Sequence, residues 1–135
     1  MTRGGGNFGT LRRAPVARLQ VLFSLAALLI ANIVAAADNS DEDHEIARRY
    51  STCAAFYFNG TQAVPMSEYE KYYSAGETAF NEASRLVGRQ QADRLAGDAS
   101  LEMKSAIDGD WLRFDELEQT YAVTCADLVR AVGEG

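Results

Sequence analysis

The stretch SEYEKYYSAGETAFNEASRLV, residues 67–87, carries its apolar and small residues at helical spacing. Tyr69, Tyr72, Tyr73, Gly76, Ala79, Phe80, Ala83, Leu86 and Val87 follow one another at steps of three and one. Side chains three and four apart share a helix face, whereas strand residues on one face recur every second position. The spacing therefore predicts a helix from Ser67 to about Val87 with one buried stripe. Its ends also carry signals. Ser67 and Glu70 form an S-x-x-E capping box, Pro65 stiffens the entry, and Gly88 supplies a stop.

The same period appears on both sides. Upstream, Ile46, Tyr50, Cys53, Ala54 and Tyr57 mark a first helix from about Asp41 to Phe58. Ser40 is its N-cap, acids at 41–43 suit the positive end of the helix dipole, and Asn59-Gly60 is expected to end it in left-handed geometry. Downstream, Ala92, Leu95, Ala96, Ala99, Met103, Ala106 and Ile107 give a weaker third pattern. It is interrupted by Gly97, which costs about 1 kcal/mol against Ala, so Asp98 or Ser100 is a candidate restart. Asp108-Gly109-Asp110 reads as a turn. Trp111, Phe114, Leu117, Tyr121, Cys125, Leu128 and Val132 then form a fourth stripe. Only Pro65 interrupts the chain as proline after residue 37, and no period-2 alternation is sustained. The expected fold is all-α: a small antiparallel bundle of about four helices.

The residues before this bundle are of another kind. Residues 1–37 hold Arg3, Arg12, Arg13 and Arg18 and no acid. An uncharged apolar run from Leu19 to Val34 follows, then Ala35-Ala36-Ala37 and Asp38. A basic flank, an apolar core and an A-x-A site describe a secretory signal peptide, with cleavage expected between Ala37 and Asp38. The alternative is an uncleaved anchor, since residues 19–37 approach the length a bilayer needs. Either way the arginines precede the apolar run, and residues 38–135 are expected outside the cytoplasm, in a periplasmic or secreted location. Arg12-Arg13 lacks the following context of a twin-arginine signal, and Cys53 stands too far from Ala37 for lipidation.

All 19 acids fall outside residues 1–37, with nine of the 13 basic residues, leaving residues 38–135 at a net −10. So acidic a domain is a poor ligand for nucleic acid. With 47% hydrophobic residues the chain is not of the disordered class. In an oxidising compartment, two cysteines on the buried stripes of the first and last helices predict a Cys53–Cys125 disulfide. An antiparallel arrangement then requires the last helix to start several residues beyond the end of the first, with Trp111 near the overhang.

Cys53-Ala54-Ala55-Phe56-Tyr57, Gly109-Asp110 and Tyr121-x-x-x-Cys125 together resemble a loose group of small exported bacterial proteins. These have two cysteines, an all-helical mature part and no assigned activity. The resemblance spans roughly residues 46–130. It implies an envelope location and a disulfide, and no chemistry.

Chemistry-bearing residues are few. His44, the single histidine, lies in Asp41-Glu42-Asp43-His44-Glu45. Consecutive helical residues point apart, so this segment reads as a solvated first turn, and no metal or cofactor is expected. Asp108 and Asp110 are the nearest approach to a paired-carboxylate glycosidase, which would need a cleft between them. Asn59-Gly60-Thr61 has the form of a glycosylation sequon. Phe56 and Phe58 fall off the first stripe and, with Tyr72 and Tyr73, are the candidate partner or ligand surface. The expected role is therefore a non-enzymatic structural or protein-interaction module with an envelope protein as partner, or self-association. Two alternatives remain: a periplasmic stress chaperone unfurled by acid, and a small-ligand carrier with a tyrosine-lined pocket.

Overall fold

The computed structural model describes residues 40–135. The signal-peptide expectation for residues 1–37, with its Ala37/Asp38 cleavage site, lies outside the described residues. Four helices make up the described part: α1 over 40–60, α2 Met66–Val87, α3 Arg89–Ala106 and α4 Phe114–Gly133, the last entered through a 3-10 turn, Trp111–Arg113. No strand occurs among the described residues.

Cross-helix contacts fix the directions. Tyr50 on α1 donates its hydroxyl proton to the Leu128 carbonyl on α4 at 3.3 Å. Gly60, at the far end of α1, lies against Phe114 at the start of α4. These two helices are therefore antiparallel. Gly60 also lies against Tyr72, and Gly76 against Phe58, which sets α2 antiparallel to α1. His44 faces Gln91, and Asn59 faces Ser100, so α3 runs parallel to α1. The result is an up-down-up-down bundle, as the periodicity predicts. The predicted disulfide is present: Cys53 and Cys125 join α1 to α4 across a Cα–Cα distance of 5.2 Å.

The centre of the bundle is α1. Four consecutive residues, Cys53, Ala54, Ala55 and Phe56, are all buried. At 3.6 residues per turn such a run points around most of the helix circumference, which requires neighbours on several sides. Small residues permit it. Ala47, Ser51 and Ala54 are fully buried, and their short side chains let the flanking helices approach closely. The single-stripe reading of this helix is thus corrected: helices α2, α3 and α4 all pack on α1, so more than one of its faces is covered.

Two helix ends and one expected break also differ from expectation. Asn59 and Gly60 continue α1 and do not terminate it, and the positive-φ residues of the described part are Asp108, Gly88 and Gly109. Glycine is needed at position 60 for proximity, because a Cβ there would meet the Tyr72 ring at 2.5 Å and the Phe114 ring at 2.8 Å. The longer α1 also absorbs much of the overhang expected of α4. Helix α2 begins at Met66 with Pro65 in the cap position and no side-chain cap bond, so the Ser67–Glu70 box does not form. Starting one residue earlier puts Ser67 inside the helix, where it cannot cap. Helix α3 passes through Gly97 without a restart.

Gly88 does act as the stop. At φ +84° it is the single residue between α2 and α3, and its amide donates to the Ser84 carbonyl at 2.9 Å. Asp108 and Gly109 sit at φ +54° and +70°, and the Gly109 amide closes α3 on the Lys104 carbonyl at 2.8 Å. Asp110 then caps the 3-10 turn by accepting from the Leu112 amide at 3.0 Å.

Candidate functional site

The residues with candidate roles divide between the core and one face of α2. Phe56 belongs to the core. It is 1% exposed, stacks on Phe114 at 5.5 Å between centroids, and meets Tyr57, Tyr72 and Tyr121 at tilted angles. Its assignment to a partner surface is corrected: α4 folds over that side of α1, so Phe56 presents nothing to solvent. Tyr72 is half-buried beside it and donates to Glu118 Oε1 on α4 at 2.6 Å. Burial first, then the Glu118 hydrogen bond and charge, push the Tyr72 phenol well above its ordinary pKa. Tyr72 therefore ties α2 to α4.

Tyr73 and Phe58 lie elsewhere. Phe58 is half-buried over Gly76, and its ring meets Tyr73 at 5.9 Å. Tyr73 stacks in parallel on Tyr69, with centroids 6.0 Å apart and planes 9° from coplanar. Both rings are 39% exposed, and Met66, one turn before Tyr69, is 85% exposed. Residues 66, 69 and 73 recur at three and four, so they share one face of α2. Glu70 and Glu77 fall on the same face by the same spacing. Nearby charge pushes the Tyr73 phenol above its usual value, with Glu77 the largest cause and Glu70 a lesser one.

Sequence reasoning placed Tyr69 on the buried stripe and passed over Met66. The signal that finds both is the helix start at Met66, which brings position 66 into register with 69 and 73. The helical period alone puts Tyr69, Tyr72 and Tyr73 on one stripe. The structure separates them, because α4 reaches Tyr72 but not the face 60–100° away.

The remaining candidates are occupied or apart. Asp108 pairs with Arg113 at 2.7 Å, and Arg113 also grips Glu116 at 2.7 Å, while Asp110 caps the turn. His44 Nε2 stands 3.4 Å from the Gln91 amide nitrogen. Among the described residues no three histidine, cysteine or acidic side chains group to hold a metal ion. Asn59 of the sequon is 7% exposed and accepts from Ser100 Oγ at 2.9 Å. A groove of about 300 Å³ runs between α1 and α4 beside the disulfide, lined by Arg49, Thr52, Tyr121 and Leu128 among others. Tyr121 is the tyrosine of that groove, and Tyr72 and Tyr73 do not line it.

The class defined by this geometry is a disulfide-tied, all-helical bundle with an exposed aromatic face. No family model, curated protein or solved structure matches the chain. Among the described residues no helix is long and apolar enough to cross a membrane.

Proposed function

We propose that residues 38–135 form an exported, non-enzymatic module that holds another envelope protein through the outer face of α2. The observation that carries this reading is the stacked Tyr69–Tyr73 pair with Met66 beside it, exposed together on one helix face. Tyrosine and methionine are enriched in protein interfaces, where large amphipathic or adaptable side chains gain contact area at small entropic cost. Leu101, Leu112 and Val123 are also exposed, but each lies on a different element from this face. A binding role over a catalytic one is supported by the carboxylates, since Asp108, Asp110 and Glu116 are engaged in ion pairs and caps. Export is supported by the basic, apolar and A-x-A order of residues 1–37 and by the disulfide.

The test is site-specific crosslinking in the native envelope. A photoreactive residue at Tyr69 or Tyr73 should give a discrete adduct, and one at Val123 on α4 should not. Absence of an adduct from positions 66, 69 and 73 alike overturns the reading.

A further inference from the structure

The face of α2 that carries Met66, Tyr69 and Tyr73 also carries Glu70 and Glu77. By helix geometry these five residues fall within a sector of roughly 100°. Aromatic surface and negative charge are thus interleaved over three turns. Glu77 lies close enough to the Tyr73 phenol to raise its pKa, but neither acid of this face is in an ion pair among the described residues. On α2 the ion pairs are Glu68 with Lys71 at 3.5 Å and Glu82 with Arg85 at 2.6 Å, and neither uses Glu70 or Glu77. Lys71 is the only basic residue on α2 before Arg85.

The next aromatic residue on this sector is Phe80, and it already has a cover. The guanidinium of Arg89, from the start of α3, lies 5.9 Å from the centre of its ring. The negative face of an aromatic ring attracts a cation, and a carboxylate nearby attracts it independently. At Phe80 the chain supplies that cation itself. At Tyr69 and Tyr73 the described residues supply none, although the rings are exposed and two carboxylates stand on the same sector.

We propose that the segment docking on this face is cationic and apolar by turns. Its arginine or lysine side chains lie over the Tyr69–Tyr73 pair and reach Glu70 and Glu77, and its aliphatic side chains cover Met66. The proposal rests on the reading of this face as a protein-binding surface, and adds the chemistry of the partner. Charge complementarity decides the occupant. Residues 40–135 carry 18 acids against nine bases, so a second copy of this chain would bring like charge to like.

The experiment uses the disulfide-bonded protein and a fluorescein-labelled peptide of alternating arginine and leucine, read by fluorescence anisotropy. Saturable binding is expected. Glu70→Gln/Glu77→Gln should weaken it about tenfold, which corresponds to about 1.4 kcal/mol. Tyr69→Ala/Tyr73→Ala should weaken it comparably. Asp98→Asn/Glu102→Gln makes the same change of charge on exposed positions of α3 and should leave affinity within about twofold. Both charge variants alter exposed side chains, so the fold is retained and melting curves verify it. Equal weakening by the α2 and α3 charge variants overturns the proposal, because the attraction would then be to net charge alone. So does equal binding of a peptide with glutamate in place of arginine, or no saturable binding. A crosslink from Tyr69 to a neutral or acidic partner segment overturns the cationic assignment and leaves the interaction surface standing.

Discussion

Two glycine-to-alanine substitutions inside helices should move stability in opposite directions. Gly60 and Gly97 both lie in helical backbone with negative φ. At Gly97 an added Cβ meets nothing within 4 Å, so only backbone propensity changes. Gly97→Ala should stabilise by about 1 kcal/mol. At Gly60 the same methyl falls 2.5 Å from Tyr72 Cδ1 and 2.8 Å from Phe114 Cζ. Ordinary contact begins near 3.4 Å, so both rings would have to retreat. Neither is free to do so. Tyr72 is held by Glu118 at 2.6 Å, and Phe114 is stacked on Phe56 at 5.5 Å. Overpacking of this kind costs about 3 kcal/mol, and the propensity gain offsets about 1, leaving a net loss of about 2 kcal/mol. The two variants should then differ by about 3 kcal/mol, or about 12–24 °C in melting temperature for a domain of this size. Thermal melts followed by far-ultraviolet circular dichroism measure the difference directly. A Gly60→Ala protein as stable as wild type would show that the α1–α2–α4 junction is looser than described, and would refute the reasoning.

Cys125→Ser should cost about 4 kcal/mol by the chain-entropy argument for a 72-residue separation. It should also yield Cys53-linked dimers on a non-reducing gel; a monomer of unchanged melting temperature would contradict this. Ser100→Ala removes the donor to the buried Asn59 carbonyl oxygen, with an expected loss of about 1–3 kcal/mol in denaturant melts. An alkaline titration tests Tyr72, whose phenol is raised from 10 in the folded protein. The folded state holds that proton more tightly than the unfolded chain, so the stabilisation is intact below about pH 10 and is lost as pH rises further. Between about pH 9.5 and 11.5 wild type should lose stability faster than Tyr72→Phe, and parallel curves would show that Tyr72 is not the group responsible.

What was legible in the sequence was whatever one helix face decides alone. The stripes of α2 and α4 needed only the 3.6-residue period, and the disulfide followed from two cysteines on such stripes. Gly88 was legible because a stop glycine acts through its own φ. The errors fall where a neighbour decides. Phe56 lies off the stripe of α1, yet it is core because three helices cover α1. Asn59-Gly60 looks like a helix end, but Ser100, Tyr72 and Phe114 hold it in the helix. Gly97 looks like a break, yet α3 is carried past it by Ala99, Met103 and Ile107, all buried. The exposed aromatic face of α2 was half legible. Tyr73 was singled out, but separating Tyr69 and Tyr73 from Tyr72 required knowing on which side α4 passes.

The central position of α1 has a consequence in time. The helix around which the others assemble is the first of the four to be made, and the partner that locks it is the last. At about 5–20 residues per second, the 72 positions between Cys53 and Cys125 take about 4–14 s to synthesise. Through that interval Cys53 is a lone thiol on a helix whose α4 wall is not yet complete. Phe56, enclosed in the finished protein, is open to any other nascent surface. The α2–α3 hairpin can close early, because Gly88 alone separates its arms. The α1–α4 seam cannot, and a chain that stalls short of Phe114 leaves its own hub unwrapped. The hub is therefore complete only once the last helix, which brings the second sulfur, has been made.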